Sequence, residues 1–181
     1  MIERAGTGPL RRLVVLRHAK SAWPVDVADH ERHLAPRGRR DAPEAGRALA
    51  EADCLPDLAL CSTAVRARRT WDLAAGQWGT PPPVRHDRRL YAAGPSGLLA
   101  VVHEVPAEVE TLLLIGHNPG LEELVVALAA DGLDDTLERV RTKFPTSAIA
   151  VLSWRGTAWR SLTPGTALLT SVIVPRGRKE K

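Results

Sequence analysis

Three short aliphatic runs, each ending in or followed by polar residues, constrain the fold of this chain more than any other feature. They are Leu13–Leu16, Asp57–Ser62 and Thr111–Ile115, and His18 and His117 follow the first and third at close range. Runs this short and this apolar are typical of strands buried on both faces of a parallel sheet. Because ligands bind beyond the carboxyl ends of such strands, we expect the polar residues to meet at one rim.

Helical and extended patterns alternate along the rest of the chain. Helical spacing is predicted over 36–52, 63–78, 96–104 and 121–130, and further extended segments over 84–91, 147–153, 159–162 and 167–174. The polar stretch 19–35 is predicted to be a loop. This alternation predicts an α/β fold, a three-layer αβα sandwich with a mostly parallel central sheet.

Length and composition indicate one globular domain. The chain has 181 residues, 44% of them hydrophobic and 25% charged, which excludes a disordered or collagen-like chain. We expect a single domain over 1–181, with its core at about 12–174 and flexible ends. The formal net charge is only +4, so nucleic acid is an unlikely partner. The basic cluster 176–181 is predicted to be a solvated, frayed terminus.

The cysteine pattern favours a reducing compartment. Cys54 and Cys61 are flanked by apolar residues and show no metal-site spacing, so both are predicted to be buried free thiols. With no signal-peptide pattern and no apolar run near the ~18 residues that span a bilayer, the sequence predicts a cytoplasmic protein without membrane contact. His30 and His33 form a His-x-x-His pair, but no convincing third metal ligand is near.

The residues expected at the rim fit phosphate chemistry. Arg17 and His18 follow the first strand, Ser62 ends the second with Arg66 one helical turn later, and His117 follows the third. Two imidazoles and two guanidiniums would form a cationic cup, and arginine matches phosphate oxygens with bidentate donors. One neutral imidazole would attack phosphorus, and the other, if protonated, would stabilise the phosphoryl oxygens. Because side chains supply the positive charge, this scheme requires neither a metal nor a cofactor.

Several motifs resemble those of the histidine phosphatase superfamily, the Arg-His-Gly type. Leu16–Ser21 (LRHAKS) resembles the active-site signature of the SixA-like phosphohistidine phosphatase branch, although Ala19 stands where many members have Gly. Further similar motifs follow in order along the chain: Leu34–Ala42, Ser62–Thr70, Leu90–Tyr91, Gly116–Leu121 and Phe144–Ala148. The resemblance implies a phosphoglycerate-mutase-like fold and a hydrolase that acts through a phosphohistidine intermediate.

The resemblance also implies residue roles. His18 would be the nucleophile that accepts the phosphoryl group, and Arg17, Arg66 and His117 would complete the phosphate pocket. Weaker candidates for substrate contacts are Ser21, Asn118 and Lys20.

One departure from the family pattern bears on the substrate. Many members carry a glutamate general acid where this chain reads Leu90–Gly94 (LYAAG), which contains no acid. Asp26, Asp29 and Glu31 are the candidate substitutes. Without an acid an alkoxide is hard to expel, whereas a phosphohistidine leaves as imidazole, whose conjugate acid has a pKa near ~6.5. The missing acid therefore favours a phosphohistidine of a protein partner as substrate.

Alternative functions remain open at this point. One is a phosphomonoesterase of a small metabolite or nucleotide, and another is a non-catalytic module that binds phosphate or nucleic acid. A cysteine phosphatase loop at Cys61–Arg66 is disfavoured because only four residues separate the cysteine from the arginine. The sequence does not define the oligomeric state.

The remaining aromatic residues and histidines are expected away from the chemistry. Trp23 is the exception, since it follows the active-site motif and is expected to form a wall of the pocket. The others are predicted to pack the core and edges or to lie on the surface: Trp71, Trp78, Trp154, Trp159, His30, His33, His86 and His103.

Overall fold

A computed structural model describes residues 6–179, and within them seven strands form one sheet in the order β3-β2-β4-β1-β6-β7-β5. The strands are β1 Leu10–Arg17, β2 Leu58–Ser62, β3 Val84–Asp87, β4 Thr111–Gly116, β5 Ala129–Gly132, β6 Ile149–Arg155 and β7 Ala167–Ile173. The helices are α1 Pro36–Glu51, α2 Val65–Ala75, α3 Pro95–His103, α4 Gly120–Leu128 and α5 Thr136–Thr142. Single 3₁₀ turns occupy Asp29–Glu31, Arg88–Leu90 and Trp159–Ser161.

The parallel part of the sheet contains the strands that carry the predicted site. β1, β2, β3 and β4 pair in parallel, while β6 is antiparallel to β1 and to β7. Every residue of β4 is buried, as expected of an apolar run covered on both faces. In the β1–β4 register Arg17 lies opposite Gly116, so His18 and His117 emerge side by side.

Alternate residues of β1 point into two separate cores. Leu13 and Val15 join the cluster formed with α3 and α4, whereas Val14 and Leu16 join the cluster formed with α1 and α2. Both clusters are almost fully shielded from solvent. The predicted three-layer αβα sandwich with a mostly parallel sheet is therefore confirmed.

Two glycines let α1 approach the site closely. A β-carbon at Gly38 would collide with the backbone of Lys20, and one at Gly46 would collide with the backbone of Ala74 in α2. Because no side chain fits at either position, α1 packs directly on the segment after β1 and on α2. The helix therefore holds two elements that carry site residues.

The structure corrects several predictions. The extended segment predicted over 159–162 is instead a 3₁₀ turn, Trp159–Ser161, because the Trp159 indole is fully buried and donates a hydrogen bond to the Val109 carbonyl at 2.8 Å. The predicted loop 19–35 contains a 3₁₀ turn and an isolated bridge between Ser21 and Leu34. The helix predicted over 63–78 is shorter, 65–75, since Ser62 Oγ accepts from the Ala64 amide before the first turn.

The chain ends also differ from expectation. Of the cluster predicted to be a frayed terminus, residues 176 and 177 pack against α1, where the Gly177 amide donates to buried Asp41 Oδ1 at 2.9 Å. Residues 1–5 of the N-terminal end and residues 180–181 of the cluster lie outside the described part of the chain. Within residues 6–179, none of the helices combines the length and apolar character needed to cross a bilayer.

Candidate active site

The seven predicted site residues line one cavity of about 580 Å³ beyond the carboxyl ends of β1, β2 and β4. They are Arg17, His18, Lys20, Ser21, Arg66, His117 and Asn118. β1 and the segment directly after it supply the first four residues of this list. The first turn of α2 supplies Arg66, and the β4–α4 connection supplies the last two. Three segments far apart in sequence thus meet because their strands are parallel neighbours.

His18 is held in a defined tautomer by the backbone. The side chain is buried, and its Nδ1 lies 2.8 Å from the Ala19 carbonyl oxygen. A carbonyl only accepts hydrogen bonds, so Nδ1 carries the proton and Nε2 of the neutral ring keeps its lone pair. Burial, followed by the nearby His117, holds the pKa of His18 well below its ordinary value. His18 is therefore a neutral imidazole with a free nucleophilic nitrogen at neutral pH.

Arg17 has unused donor capacity. Its Nη1 donates to the Phe144 carbonyl at 3.1 Å, while its buried Nε has no acceptor within residues 6–179. Burial lowers the pKa of Arg17, and Glu122 partly opposes that shift. A half-buried guanidinium without its full set of acceptors has the capacity to bind an anion.

Arg66 is held by a single partner residue. Its Nη1 donates to the Asp29 carbonyl at 2.6 Å, and its Nη2 donates to Asp29 Oδ2 at 3.0 Å. Its buried Nε finds no acceptor in the described part of the chain. The contact fixes the guanidinium at the cavity wall and leaves its Nε without an acceptor in the described chain.

Asp29 lines the cavity beside Arg66, and its environment keeps it ionised. Its Oδ2 accepts from the Tyr91 hydroxyl at 2.6 Å as well as from Arg66, and its Oδ1 accepts from Arg32 Nε at 3.0 Å. The Tyr91 hydrogen bond, then those of the two arginines, hold the pKa of Asp29 far below its usual range, against the opposing effect of burial.

An acid in this state is ionised at neutral pH and has no proton to donate, so the structure disfavours Asp29 among the three candidate substitutes for the general acid. The two other candidate substitutes, Asp26 and Glu31, do not line the cavity.

His117 differs from His18 in what holds its ring. Its Nε2 lies 2.7 Å from Ser62 Oγ, and its buried Nδ1 has no partner among residues 6–179. The His18 and His117 ring centroids are 5.1 Å apart, and the edge of Tyr91 packs against His117 at 5.6 Å. Burial, followed by Arg66, lowers the pKa of His117 to about 4. The ring is neutral in the free cavity, and a bound phosphate dianion would favour its protonation.

The weaker candidates occupy the edge of the cavity. Ser21 is buried, and its Oγ accepts from Arg32 Nη1 at 2.7 Å. Asn118 donates through Nδ2 to the Phe144 carbonyl at 2.8 Å, so it braces the same carbonyl as Arg17. Lys20 is exposed at the mouth.

Trp23 lines the mouth of the cavity, as expected from its position after the motif. The Arg32 guanidinium carbon lies 3.6 Å from the centroid of the Trp23 ring, and 73% of the tryptophan is exposed. This cation–π contact holds a large flat apolar surface open to solvent beside the phosphate pocket.

Sequence reasoning missed three residues near the site. Arg32 and Glu123 line the cavity, and His30, predicted to lie on the surface, packs against Tyr91 at 4.9 Å and bonds Thr63. Glu123 is in the first turn of α4, the helix that follows His117. Because that helix was predicted from the sequence, the position of Glu123 near His117 could have been found there. Arg32 and His30 are on the irregular segment 19–35, whose conformation no local pattern specifies.

Cys61 does not take part in the site. The thiol is buried and donates to the adjacent Ser62 carbonyl, and burial raises the pKa of the thiol far above its ordinary value. Cys54 is likewise a buried free thiol, as predicted. Within residues 6–179, no group of three or more His, Cys, Asp or Glu side chains is placed to hold a metal ion.

Comparison with known proteins identifies relatives of this chain. The model of the histidine phosphatase superfamily (branch 1) matches residues 13–92, the part that contains His18 and Arg66. An uncharacterised protein of Mycobacterium tuberculosis (strain H37Rv) is 44% identical over 163 residues, which cover 89% of this chain and 100% of that protein.

Two solved structures, both provisionally named phosphohistidine phosphatase SixA, match over almost their whole length. The one from Nakamurella multipartitia has 34% sequence identity and a TM-score of 0.81, covering 93% of this chain and 98% of that one. The one from Agrobacterium tumefaciens has 29% identity and a TM-score of 0.75, covering 91% and 99%. The family model, the matching fold and the shared length together show that this chain belongs to the histidine phosphatase superfamily as a SixA-like phosphatase.

Proposed function

We propose that this phosphatase hydrolyses the phosphohistidine of a protein, with His18 as the nucleophile. The observation that carries the substrate assignment is the state of Asp29, whose two oxygens accept hydrogen bonds from Arg32, Arg66 and Tyr91. A carboxylate saturated with donors cannot protonate a leaving group, so the favoured substrate is one whose leaving group departs without a strong acid.

In the proposed first step, His18 Nε2 attacks phosphorus while the P–N bond of the substrate breaks. The lone pair on Nε2 is available because Nδ1–H is donated to the Ala19 carbonyl. When the second ring nitrogen of the substrate carries a proton, the leaving group is a neutral imidazole and no further proton transfer is required.

Three groups would stabilise the phosphoryl oxygens in this step. Arg17 and Arg66 each retain a buried Nε without an acceptor in the described chain, and His117 likewise retains Nδ1. Donors fixed before the reaction stabilise the charge of a transition state without reorganisation. His117 acts in this way once the phosphate has raised its pKa from about 4.

In the second step, water attacks the phosphorus on His18 and releases inorganic phosphate. The Ala19 carbonyl keeps the Nδ1 proton in place, so the phosphorylated ring is a phosphoimidazolium and leaves as neutral imidazole. The same backbone contact thus serves both halves of the cycle.

We further propose that Ser21, Asn118 and Lys20 contact the substrate beyond the phosphate, and that the chain of residues 1–181 is one domain with its core at about 12–174. The free thiols Cys54 and Cys61 support a cytoplasmic location, since reduced cysteines are typical of that compartment.

A second candidate function is phosphomonoester hydrolysis, and Glu123 is the observation that favours it. This exposed carboxylate lines the cavity. If Glu123 delivers a proton to an ester oxygen, a small phosphorylated metabolite becomes a substrate.

The decisive experiment compares phosphate release from a phosphohistidine peptide and from a phosphoserine peptide of the same sequence, both with EDTA present. The proteins are the unmodified chain, His18→Ala, Glu123→Gln and His33→Ala, a control at an exposed histidine. We expect rapid release from phosphohistidine alone, lost in His18→Ala and kept in the other two.

Two outcomes would contradict the proposal. Equal or faster release from phosphoserine that is lost in Glu123→Gln would establish the phosphomonoesterase. Unchanged release in His18→Ala would remove the nucleophile assignment.

A further inference from the structure

A second cavity, of about 650 Å³, lies between α1 and the chain that follows β7. Its walls carry five basic side chains, Arg39, Arg40, Arg47, Arg178 and Lys179. The only acidic residue in the described lining is Glu44, which forms an ion pair with Arg47. We call these six residues the basic groove.

The charge in the basic groove is high for this chain. Five positive side chains and one negative leave a net charge of +4, equal to the formal net charge of all 181 residues. Charges of one sign concentrated in a cleft focus the electrostatic field and raise the rate at which an oppositely charged partner associates.

The C-terminal wall of the basic groove is fixed in place. Arg176 Nη1 lies 3.5 Å from Asp41 Oδ2 and donates to the Thr146 carbonyl at 3.0 Å, and the Gly177 amide donates to Asp41 Oδ1. Asp41 is buried in α1, so these contacts anchor the chain immediately before the two basic residues that face the groove.

Both walls of the basic groove connect to the active site. Thr146, which binds Arg176, also lines the active-site cavity. On the other side, the Lys20 carbonyl accepts from the Ala35 amide at 2.8 Å, directly before α1 begins, and Lys20 lines the same cavity. The two cavities are therefore close neighbours, and a peptide held by its phosphate in the active site is within reach of the basic groove.

We infer that the basic groove binds an acidic surface of the phosphoprotein substrate, an inference that rests on the proposed function. The positive charge favours an anionic partner, and the short path through these chain contacts to the active site favours the substrate as that partner. Sites for single-stranded nucleic acid combine positive charge with aromatic stacking platforms, whereas the described lining of the groove contains prolines and no aromatic residue. A protein surface rich in Asp and Glu fits this lining.

The test uses two phosphohistidine peptides of equal length, one with Asp and Glu on both sides of the phosphohistidine and the other with Ser and Gly. A peptide of about 20 residues spans up to roughly 60 Å when extended, enough to reach beyond the active site. Phosphoramidate, which is too small to touch the groove, reports the basal activity.

The variant is Arg178→Glu/Lys179→Glu, which reverses two exposed charges of the basic groove. The matched control is Arg155→Glu/Arg160→Glu, which makes the same charge change at exposed residues around the opposite rim of the sheet, where β6 ends. Any effect of net charge alone would appear equally in both.

For the unmodified protein at low salt, we expect kcat/KM to be about tenfold higher for the acidic peptide than for the neutral one. The preference should disappear in the groove variant, persist in the control and weaken as added salt screens the charges. Phosphoramidate hydrolysis should be the same in all three proteins.

Equal rates on the two peptides, or a preference that survives in the groove variant, would overturn the inference while leaving the proposed function intact. Hydrolysis of neither peptide, alongside hydrolysis of a small phosphate ester, would refute the proposed function and the docking surface with it. Hydrolysis of the acidic peptide can also be measured with a competitor present. If an oligouridylate inhibits it at a lower concentration than the unphosphorylated acidic peptide does, the groove binds nucleic acid and the inference is overturned.

Discussion

Arg11 and Arg17 lie near opposite ends of β1, and the fold uses their guanidinium groups differently. Arg11 is buried at one rim of the sheet and donates to three carbonyl oxygens, those of Gly156, Val109 and Thr157, at 2.6–2.9 Å. Arg17, at the other rim, donates to one carbonyl and keeps a buried Nε without an acceptor in the described chain. A buried guanidinium in which every nitrogen has an acceptor stabilises the fold, whereas one with a nitrogen lacking an acceptor has capacity to bind a ligand.

The sharpest test of this contrast is Arg17→Met. We expect kcat/KM for the phosphohistidine peptide to fall by about 10²–10³-fold, because one preorganised donor to the phosphoryl oxygens is lost. The melting temperature should change little, since only the Phe144 carbonyl loses a partner. Steady-state kinetics and thermal unfolding measure the two effects. A large fall in melting temperature with normal kinetics would reverse the assignment.

The same substitution at the other rim should have the opposite result. Arg11→Met removes three hydrogen bonds donated by a cation, two of them buried, although the Val109 carbonyl keeps its bond from Trp159. We expect this loss to lower the free energy of unfolding by about 3 kcal/mol. The remaining folded protein should hydrolyse substrate at the normal rate. Urea unfolding measures the loss, with Arg160→Met at an exposed position as control. Unchanged stability would show that Arg11 is not a structural cation.

The two cavity histidines make the stability of the protein depend on pH. The pKa of His117 is lowered to about 4 in the folded protein, so between that value and about 6.5 the unfolded chain binds the proton more readily. Stability is therefore full above about pH 6.5 and falls as the pH drops toward 4, by roughly 3 kcal/mol from this group.

Urea unfolding at several pH values should show this loss in full in the unmodified protein and in His86→Gln, an exposed control. The loss should be smaller in His117→Gln, where the part that remains comes from His18, whose pKa is also lowered. Inorganic phosphate at high concentration should reduce the loss, because it favours the protonated ring. An identical pH profile in all three proteins would contradict the prediction.

The smallest expected effect concerns Asp29, which accepts hydrogen bonds from two nitrogens of Arg66 and so keeps them from binding another anion. Asp29→Asn keeps an oxygen for Tyr91 but removes the negative charge beside the phosphate pocket. We expect inorganic phosphate to inhibit at about tenfold lower concentration, because the repulsion is gone, and kcat to fall several-fold, because Arg66 is held less firmly. Inhibition and turnover assays measure both. Weaker inhibition by phosphate would mean that positioning Arg66 outweighs repulsion.

Sequence reasoning succeeded where local pattern and topology agree. Leu13–Leu16 and Thr111–Ile115 read as buried strands, and parallel pairing then brings the residues that follow them to one rim, so the meeting of His18 with His117 needed no further information. It failed where contacts distant in sequence decide the conformation. Trp159 has an extended pattern, but its bond to Val109, 50 residues away, bends the segment into a turn.

The position of Arg32 was out of reach for the same reason. Its guanidinium depends on Ser21, Asp29 and Trp23, all on an irregular segment that acquires its shape only against α1 and α2. The ionised state of Asp29 follows from this arrangement too, since its donors come from three separate segments.

The hydrogen bond from His18 to the Ala19 carbonyl has a consequence for how this protein can change over evolution. A backbone carbonyl is present whatever side chain occupies position 19, so no point mutation there deletes the group that holds the Nδ1 proton of His18, the proposed nucleophile. His117, in contrast, relies on the hydroxyl of Ser62, which a single codon change can remove. If His18 is the nucleophile as proposed, changes in substrate range should therefore arise on the His117 side of the cavity, while the protonation of the His18 ring is preserved.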